Sequence, residues 1–332
     1  MALLYAGGVV IEALNYQVLR GFNLKPGNVL KQKGNFIVNA HGKRSMLQKT
    51  DESINHILFS HDIKNFLKEN NFKNVDHFSL SINNTPYYTY NNENYIMTEA
   101  PEAEQMDFSK VELFLRLVSD TALMHKILKE MRFSGEAFKG GNMLKRLSDS
   151  KNQLSKIKRQ IGNSGRMSDF DVVFLKTYEE YMEKISLALD ILRTENYMQE
   201  SGNKSICHNI LKKENIYVKN GEIFFSNFSK ASFDYCIFDL SSLIKRYLKH
   251  NTEKRIDIYQ IVDTYAKVNP IGDEEMNILY AFLLYPEGFV NVCESFYYKK
   301  RSFIPSSMER KLILETEGRR KYEEYINRLI AV

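Results

Sequence analysis

Residues 206–247 read ICHNILKKENIYVKNGEIFFSNFSKASFDYCIFDLSSLIKRY, and this stretch decides the fold. Two short β-forming runs, at 216–218 and 222–226, lie on either side of Asn220-Gly221. An Asn-Gly pair between such runs is a strong signal for a β-hairpin with a tight turn. Residues 206–229 are therefore predicted to form a hairpin with a loop at each end.

The two loops carry a spaced set of polar residues interrupted by one apolar residue. The first loop holds His208, Ile210 and Asn215, and the second begins at Asn227. In kinase-type phosphotransferases, the first loop supplies an Asp that orients the substrate hydroxyl and an Asn for a metal ion. The second loop supplies an Asp that holds Mg²⁺ on the nucleotide phosphates. Here the spacing of such loops is kept, but neither Asp is present.

The motif resembles that of the aminoglycoside phosphotransferase and choline kinase group, which reads His-Gly-Asp, then Asn, then Asp-Phe. Asn209 stands for the Gly, Ile210 for the catalytic Asp, and Asn227 for the metal-binding Asp. Asp239, between Phe238 and Leu240, matches an Asp that braces the loop in that group. The resemblance implies an α+β, two-lobed protein-kinase-like fold of the aminoglycoside phosphotransferase type, with a β-rich N-lobe and a mainly helical C-lobe.

More narrowly, the chain is similar to the CotS-type spore coat proteins of endospore formers over nearly its whole length. The pieces that carry the similarity include YIMTE at 95–99, LVSDTALMHKIL at 117–128, DFD at 169–171 and LYAFLLYP at 279–286. The resemblance implies a structural or interaction protein of the endospore coat whose partners are other coat proteins. It also implies synthesis in the mother-cell cytoplasm followed by assembly into the coat. The missing Asp residues predict that this member is a pseudokinase.

The periodicity of apolar residues divides the chain into a β-rich lobe with one helix at 1–99 and a helical lobe at 100–332, which contains the hairpin at 206–229. In the first lobe we predict a helix at 57–70 and strands at 29–38, 44–49, 78–82, 86–90 and 95–97. In the second we predict helices at 111–131, 170–192, 256–268, 274–284 and 308–329.

The N-lobe shows a change at the position where family members carry a lysine after a leucine. Here Leu47 is followed by Gln48, and Lys49 falls on the opposite face of the strand because successive side chains alternate. Gln48, Met97 and Glu99 are the candidates for lining a vestigial nucleotide pocket.

The replaced residues bear directly on catalysis. Ile210 has no lone pair to accept a proton or orient a hydroxyl, and loss of a positioned base costs about 10²–10⁴ in rate. Asn227 lacks the negative charge that Mg²⁺ favours. We therefore expect no catalytic residue, no cofactor and no metal ion; if a metal binds, its candidates are Asn215 and Asn227.

Two alternatives remain open. The chain is an ATP- and Mg²⁺-dependent phosphotransferase acting on a small hydroxyl compound or a coat protein, with Glu214 or Asp234 as a substitute carboxylate. Otherwise it is a nucleotide-binding module without turnover. Both predict that ATP stabilises the protein, whereas a purely structural protein does not respond to ATP.

The charge of the chain is mildly positive, at +5 over 332 residues. The basic residues concentrate between 139 and 166, where Asp149 is the single acidic residue. The basic residues of this segment are Lys139, Lys145, Arg146, Lys151, Lys156, Lys158, Arg159 and Arg166. This segment is either a solvated helix face or a docking surface for an anionic partner. We expect no nucleic-acid partner.

Neither targeting nor cysteine chemistry gives a further signal. The start of the chain has no basic residue before Arg20, so no secretory signal peptide is expected. No apolar run approaches the roughly 20 residues of a membrane-spanning helix. Cys207, Cys236 and Cys293 are too widely spaced for a zinc motif and are expected to be buried thiols.

Overall fold

The computed structural model describes residues 16–25, 29–32, 35–40, 43–100, 102–132, 138, 140, 142–199, 204–251, 256–298 and 305–330. The helices are α1 (Tyr16–Gly21), α2 (Ile54–Glu69), α3 (Val111–Leu128), α4 (Met143–Asn163), α5 (Asp169–Thr194), α6 (Ile237–His250), α7 (Ile258–Ala266), α8 (Asp273–Leu284), α9 (Glu287–Tyr298), α10 (Pro305–Glu317) and α11 (Arg319–Ile326). The strands are β1 (Val29–Gln32), β2 (Asn35–Ala40), β3 (Lys43–Thr50), β4 (Tyr88–Tyr90), β5 (Glu93–Glu99), β6 (Glu104–Gln105), β7 (Lys204–Cys207), β8 (Ile216–Lys219), β9 (Glu222–Phe225) and β10 (Ser232–Tyr235).

Contacts within the chain define two compact units. The first contains residues 1–107, 123–138 and 208–231, and the second contains residues 108–122, 139–207 and 232–332. The division into lobes at 1–99 and 100–332 stays a prediction. No helix in the described ranges combines the length and apolar character needed to cross a membrane.

The first unit is built on an antiparallel sheet in the order β1-β2-β3-β5-β4. One face of this sheet packs on α1, because alternate residues of the strands are apolar. The buried side chains of this core are Val18, Leu19, Phe22, Leu24, Val38, Leu47 and Met97. The strands at 44–49 and 95–97 are confirmed within β3 and β5.

Helix α2 confirms the helix predicted at 57–70. Its N-cap Ser53 accepts a hydrogen bond from the backbone N–H of His56, which satisfies a donor that the helix itself leaves unbonded. Ile57, Ile63 and Leu67 are fully buried along one face. This apolar stripe fixes which side of the helix faces the unit's interior.

The strand predicted at 78–82 is wrong. Phe78 forms only an isolated bridge with Thr98. Ser81 then closes a turn, because its N–H donates to the carbonyl of Thr85 at 2.8 Å, and Asn84 adopts a left-handed φ of 56°. The strand predicted at 86–90 is confirmed in its second half, as β4.

The hairpin predicted at 206–229 is confirmed as β8 and β9, with β6 added on the other side of β8. Lys219 and Glu222 are paired across the turn, and both central residues have positive φ, 52° for Asn220 and 77° for Gly221. Positive φ at both positions matches the right-handed twist of the strands, and it is the reason that Asn-Gly is favoured there.

The second unit is mainly helical. A short antiparallel pair, β7 with β10, places Cys207 directly opposite Ser232. Helix α5 begins with a capping box between Ser168 and Asp171. The helix predicted at 308–329 is two helices, α10 and α11, separated at Gly318, and α9 was not predicted.

Candidate functional site

His208 is the fully buried residue that ties the two loops of the hairpin together. Its Nε2 donates to the carbonyl of Ser226 at 3.0 Å, and its Nδ1 accepts from the N–H of Ile210 at 3.4 Å. Its ring centroid lies 4.5 Å from that of Phe228. The imidazole therefore uses both nitrogens within the hairpin loops, which is a positioning role.

Asn215 and Asn227 are brought together by the hairpin. The side-chain amide of Asn227 donates to Oδ1 of Asn215 at 3.2 Å, and the amide of Asn215 donates to the carbonyl of Ile210 at 2.8 Å. The carbonyl of Asn215 in turn accepts from the N–H of Ser226 at 2.9 Å. The two asparagines form a neutral amide pair at the positions that the motif gives to metal ligands.

The backbone between these side chains uses left-handed residues. Asn209 has φ of 67° and Asn227 has φ of 62°. Asparagine tolerates this region better than other residues that carry a Cβ. The Asn209 amide also donates to the carbonyl of Lys230 at 2.8 Å, so it links the first loop to the end of the second. Asn209 therefore adopts a backbone conformation that glycine, the residue of the motif at this position, also favours.

Helix α2 contacts the second loop through polar side chains that the sequence analysis did not single out. Ser60 Oγ donates to the carbonyl of Phe228 at 3.1 Å. Lys64 Nζ lies 2.8 Å from Oδ1 of Asp76 and is 5.9 Å from the centroid of the Phe228 ring. The sequence did indicate a buried ion pair here, because Lys64 falls on the apolar stripe of the helix, where a lysine needs an acidic partner.

The N-lobe candidates occupy β3 and β5. Gln48 is half-buried, and Lys49 is exposed and pairs with Glu93 at 2.5 Å. This exposed hydrogen bond to Glu93 raises the pKa of Lys49 and engages its ammonium. Met97 is buried in the sheet core opposite Leu47, and Glu99 pairs with Ser45. A nucleotide-binding role for Gln48, Met97 and Glu99 stays a prediction.

The carboxylates considered as substitutes have different surroundings. Glu214 is exposed, in a short 3₁₀ turn beside Asn215. Asp234 belongs to the second unit and is buried; both its carboxylate oxygens accept from the hydroxyl of Tyr197, at 2.9 and 2.8 Å. Asp239 is fully buried in the first turn of α6, also in the second unit, and its role as a loop brace stays a prediction.

The basic segment 139–166 folds largely as α4, and Lys139 lies outside the described residues. Two of its lysines interact with side chains of α5: Lys158 forms an ion pair with Glu179, and Lys151 donates a hydrogen bond to Ser186. Lys145, Lys156 and Arg159 follow one another along an exposed face of the helix.

The side chains at the hairpin loops do not fit a Mg²⁺ ion. This hard cation favours carboxylate oxygens, and the loop positions supply one amide pair and an isoleucine. Oδ1 of Asn215 is already engaged by the amide of Asn227. Elsewhere in the described part of the chain, no group of three or more His, Cys, Asp or Glu side chains is arranged to hold a metal ion.

The fold is shared with kinases of small molecules. An aminoglycoside phosphotransferase from Alicyclobacillus acidocaldarius superimposes with a TM-score of 0.80 at 15% identity, covering 95% of this chain and 96% of that one. Amicoumacin kinase in complex with AMP-PNP, Ca²⁺ and amicoumacin has a TM-score of 0.63 at 15% identity, covering 93% and 91%. Choline kinase from Cryptosporidium parvum has a TM-score of 0.55 at 12% identity, covering 95% and 96%. These likenesses establish the two-lobed, α+β kinase-like fold of the aminoglycoside phosphotransferase type.

A family model described as "Spore coat putative kinase YutH" matches residues 16–329. The chain belongs to this family, which confirms the resemblance to the CotS-type spore coat proteins. A comparison with curated protein sequences gives no significant match.

Proposed function

We propose that this protein is a structural and interaction component of the endospore coat, whose kinase-like fold does not transfer phosphoryl groups. Membership of a spore coat family supports the place of action. The proposed partners are other coat proteins, and an exposed face of α4 with Lys145, Lys156 and Arg159 is the proposed contact for an acidic one. No cofactor or metal ion is part of the proposal.

The amide pair of Asn215 and Asn227 is the observation that carries the proposal of inactivity. With two carboxylates or a carboxylate and an amide, the loops would offer oxygens to a cation. With two amides, one donates to the other at 3.2 Å, so Oδ1 of Asn215 is already engaged. Ile210 removes the base as well, so both requirements of phosphoryl transfer are missing from one hairpin.

A thermal-shift titration with ATP, with and without Mg²⁺, tests this proposal. The wild-type protein is compared with the Ile210→Asp/Asn227→Asp double variant. A ligand at about 100 times its dissociation constant stabilises a protein by about 2.7 kcal/mol, which is easily detected. We expect the wild type not to respond to ATP in either condition.

The double variant separates two reasons for a flat wild-type response. If the variant gains a Mg²⁺-dependent shift, the pocket is intact and the missing carboxylates account for the loss. If neither protein responds, the pocket itself no longer accepts nucleotide. A wild-type shift that requires Mg²⁺, followed by transfer of phosphate from ATP, contradicts the proposal.

The coat role has a separate readout. A fluorescent fusion of the full chain is followed in sporulating cells of an endospore former, beside a charge-reversal variant at Lys156 and Arg159. We expect both the wild type and Ile210→Ala to join the coat, and the charge-reversal variant to be depleted from it. A wild-type fusion that never enters the coat contradicts the coat role.

The second candidate function is an ATP-dependent phosphotransferase. The observation in its favour is that the fold is shared with kinases, one of them solved with AMP-PNP. Glu214, exposed beside Asn215, is the carboxylate of this unit that could act there. Under this alternative Glu214→Gln abolishes a transfer activity that the wild type shows, whereas Glu222→Gln, an exposed change in the same hairpin, retains it.

A further inference from the structure

Two hairpins of the first unit have turns with the same kind of backbone conformation. Asn220-Gly221 is the two-residue turn between β8 and β9, and Asn91-Asn92 is the two-residue turn between β4 and β5. All four residues are exposed and have positive φ, 52° and 77° in the first turn and 49° and 60° in the second. The turns therefore differ mainly in the residue that follows the first asparagine.

That following residue controls a reaction that asparagine undergoes without an enzyme. The backbone nitrogen of the following residue can attack Cγ of the asparagine, and a side chain on the attacking residue hinders the approach. Gly221 has no Cβ, whereas Asn92 has one. Asn220-Gly221 is the one Asn-Gly pair in the sequence, so the chain is most open to this attack at Asn220.

The two reacting groups at this turn are available to each other. In the described part of the chain, no hydrogen bond engages the side-chain amide of Asn220 or the N–H of Gly221. The pairing that closes the hairpin belongs to the flanking residues, Lys219 and Glu222. Ring closure at the turn therefore has no side-chain hydrogen bond to break within the described residues.

We propose that Asn220 is a site of spontaneous modification at which Gly221 closes a succinimide ring. The backbone nitrogen of Gly221 loses its proton to a base in the solvent and forms a bond to Cγ of Asn220. The bond from Cγ to the amide nitrogen breaks, and that nitrogen takes up a proton and leaves as ammonia. Water then opens the ring at either carbonyl, which gives aspartate or isoaspartate. The net reaction consumes water and releases ammonia, and it is independent of the proposed function.

The two products have different effects on the hairpin. Aspartate leaves the backbone unchanged, and Asp-Gly favours the same turn as Asn-Gly. Isoaspartate adds a methylene to the backbone, so a two-residue turn no longer fits between the flanking strands. Ile216, Ile223 and Phe225 are fully buried in this hairpin, and Asn215 and Asn227 lie at its ends. Isoaspartate at position 220 should therefore loosen the packing that holds both loops.

The test is incubation of the purified full chain at neutral pH, with samples taken over days. Each sample is digested at mildly acidic pH, where further deamidation is slow, and tandem mass spectrometry measures the conversion of each asparagine to the acid. Asn91 is the internal control, because its turn has the same kind of backbone conformation. We expect Asn220 to convert about tenfold or more faster than Asn91, since a steric cost of the size that a Cβ imposes changes a rate by about this factor. Equal rates at the two positions, or conversion of Asn220 only in urea, overturn the proposal.

Two reciprocal substitutions assign the rate to the following residue. Gly221→Asn gives the first hairpin an Asn-Asn turn, which the second hairpin shows to be compatible with positive φ, and it should suppress conversion at Asn220. Asn92→Gly gives the second hairpin an Asn-Gly turn and should increase conversion at Asn91 by a similar factor. Each variant is first checked for cooperative unfolding in urea. If Asn92→Gly folds and Asn91 converts no faster, the glycine is not what opens the turn to attack, and the proposal fails.

The dependence on pH tests the chemical step. The rate at Asn220 should rise with pH, because the backbone nitrogen of Gly221 must lose its proton before it attacks. A rate that stays constant on both sides of neutral pH contradicts ring closure by this nitrogen.

The stability of the products tests the effect on the hairpin. The isoaspartate form is separated from aged protein by chromatography and compared with Asn220→Asp, which carries the acid on an unaltered backbone. The isoaspartate form should unfold at a lower urea concentration than this variant. Equal urea midpoints for the two proteins contradict the loosening of the hairpin.

Discussion

Lys64 and Asp76 form an ion pair inside the first unit, with Nζ 2.8 Å from Oδ1 and side chains only 2% and 6% exposed. The same ammonium lies 4.1 Å from the ring centroid of Phe78 and 5.9 Å from that of Phe228. Phe228 directly follows Asn227, so the pair is part of the packing that holds the second loop of the hairpin. Helix α2 thus carries a buried lysine, Lys64, whose acidic partner, Asp76, follows the end of the helix in the chain.

Loss of one member of this pair should destabilise the protein strongly. Asp76→Ala leaves the Lys64 ammonium buried without its countercharge, a change that costs about 3–5 kcal/mol. Lys64→Met leaves the carboxylate behind and should cost a comparable amount. The free energy of unfolding is measured from urea denaturation of each variant.

The double variant Lys64→Met/Asp76→Leu is the control for that experiment. It removes both charges and fills the space with apolar groups, so it should recover most of the stability lost in either single variant. If the double variant loses the sum of the two single effects, the two side chains do not interact and the pair is not what secures α2.

The left-handed backbone of the first loop predicts a difference between two substitutions at Asn209. Asn209→Ala and Asn209→Gly both remove the hydrogen bond to Lys230, but only alanine places a Cβ at a φ of 67°. The alanine variant should therefore be about 1–2 kcal/mol less stable than the glycine variant. Equal urea midpoints for the two variants would show that the loop adopts another conformation in solution.

Asp234 should make stability depend on pH. Burial raises the pKa of this carboxyl to about 6, against the opposing effect of its hydrogen bond from Tyr197. The folded state therefore holds the proton more tightly than the unfolded chain, whose Asp has a pKa of about 3.9. The stabilisation is fully present below about pH 4 and is lost as the pH rises through about 6, an effect of about 2–3 kcal/mol.

Asp234→Asn should flatten this dependence, because an amide does not titrate and can still accept from the Tyr197 hydroxyl. The urea midpoints of the wild type and the variant are compared at several pH values between about 5 and 8. Parallel curves for the two proteins would show that Asp234 is not the titrating group.

The three cysteines should behave as inert thiols in the folded protein. Cys207, Cys236 and Cys293 are all buried, and burial raises the pKa of both Cys207 and Cys293. The thiolate is the reactive form, so alkylation by iodoacetamide at neutral pH should be slow until the chain unfolds. Mass spectrometry counts the labelled thiols with and without urea. Rapid labelling of one cysteine without urea would reveal a reactive site that this packing does not explain.

The elements with strong local signals were predictable from the sequence. Asn220-Gly221 sets the hairpin because both residues adopt positive φ, and α2 follows from Leu58, Ile63, Phe66 and Leu67 at helical spacing. The spacing of the degenerate motif also placed Asn215 and Asn227 on the two loops that the hairpin joins. Their hydrogen bond follows from that placement.

The secondary-structure predictions that differ from the structure do so for physical reasons. Phe78, Leu80 and Ile82 alternate as in a strand, yet Leu80 and Ile82 are 44% and 59% exposed, so the pattern reflects a surface turn. Helix α9 was missed because its valines and aromatic residues favour strands, and only burial of Phe289, Val290 and Cys293 in the second unit settles it as a helix. Near the C-terminus, Gly318 separates two helices that an unbroken apolar pattern joined.

The partner of Lys64 was beyond sequence reasoning for a different reason. A lysine on an apolar stripe signals that some acid must approach it, but no local rule selects Asp76 from the acids nearby. The choice depends on where the chain after α2 turns back, and a parallel bridge between Val75 and Phe225 fixes that point. Such a pairing is set by tertiary structure alone.

The pairing of Cys207 with Ser232 across β7 and β10 has a consequence for how the sequence of this fold can evolve. Residues 208–231 leave the strand pair after Cys207 and return to it at Ser232, the residue directly opposite. The side chains of this segment can change while β7 and β10 stay paired. A scaffold organised in this way can acquire new side chains in one short segment while the strand pair that closes the segment stays the same.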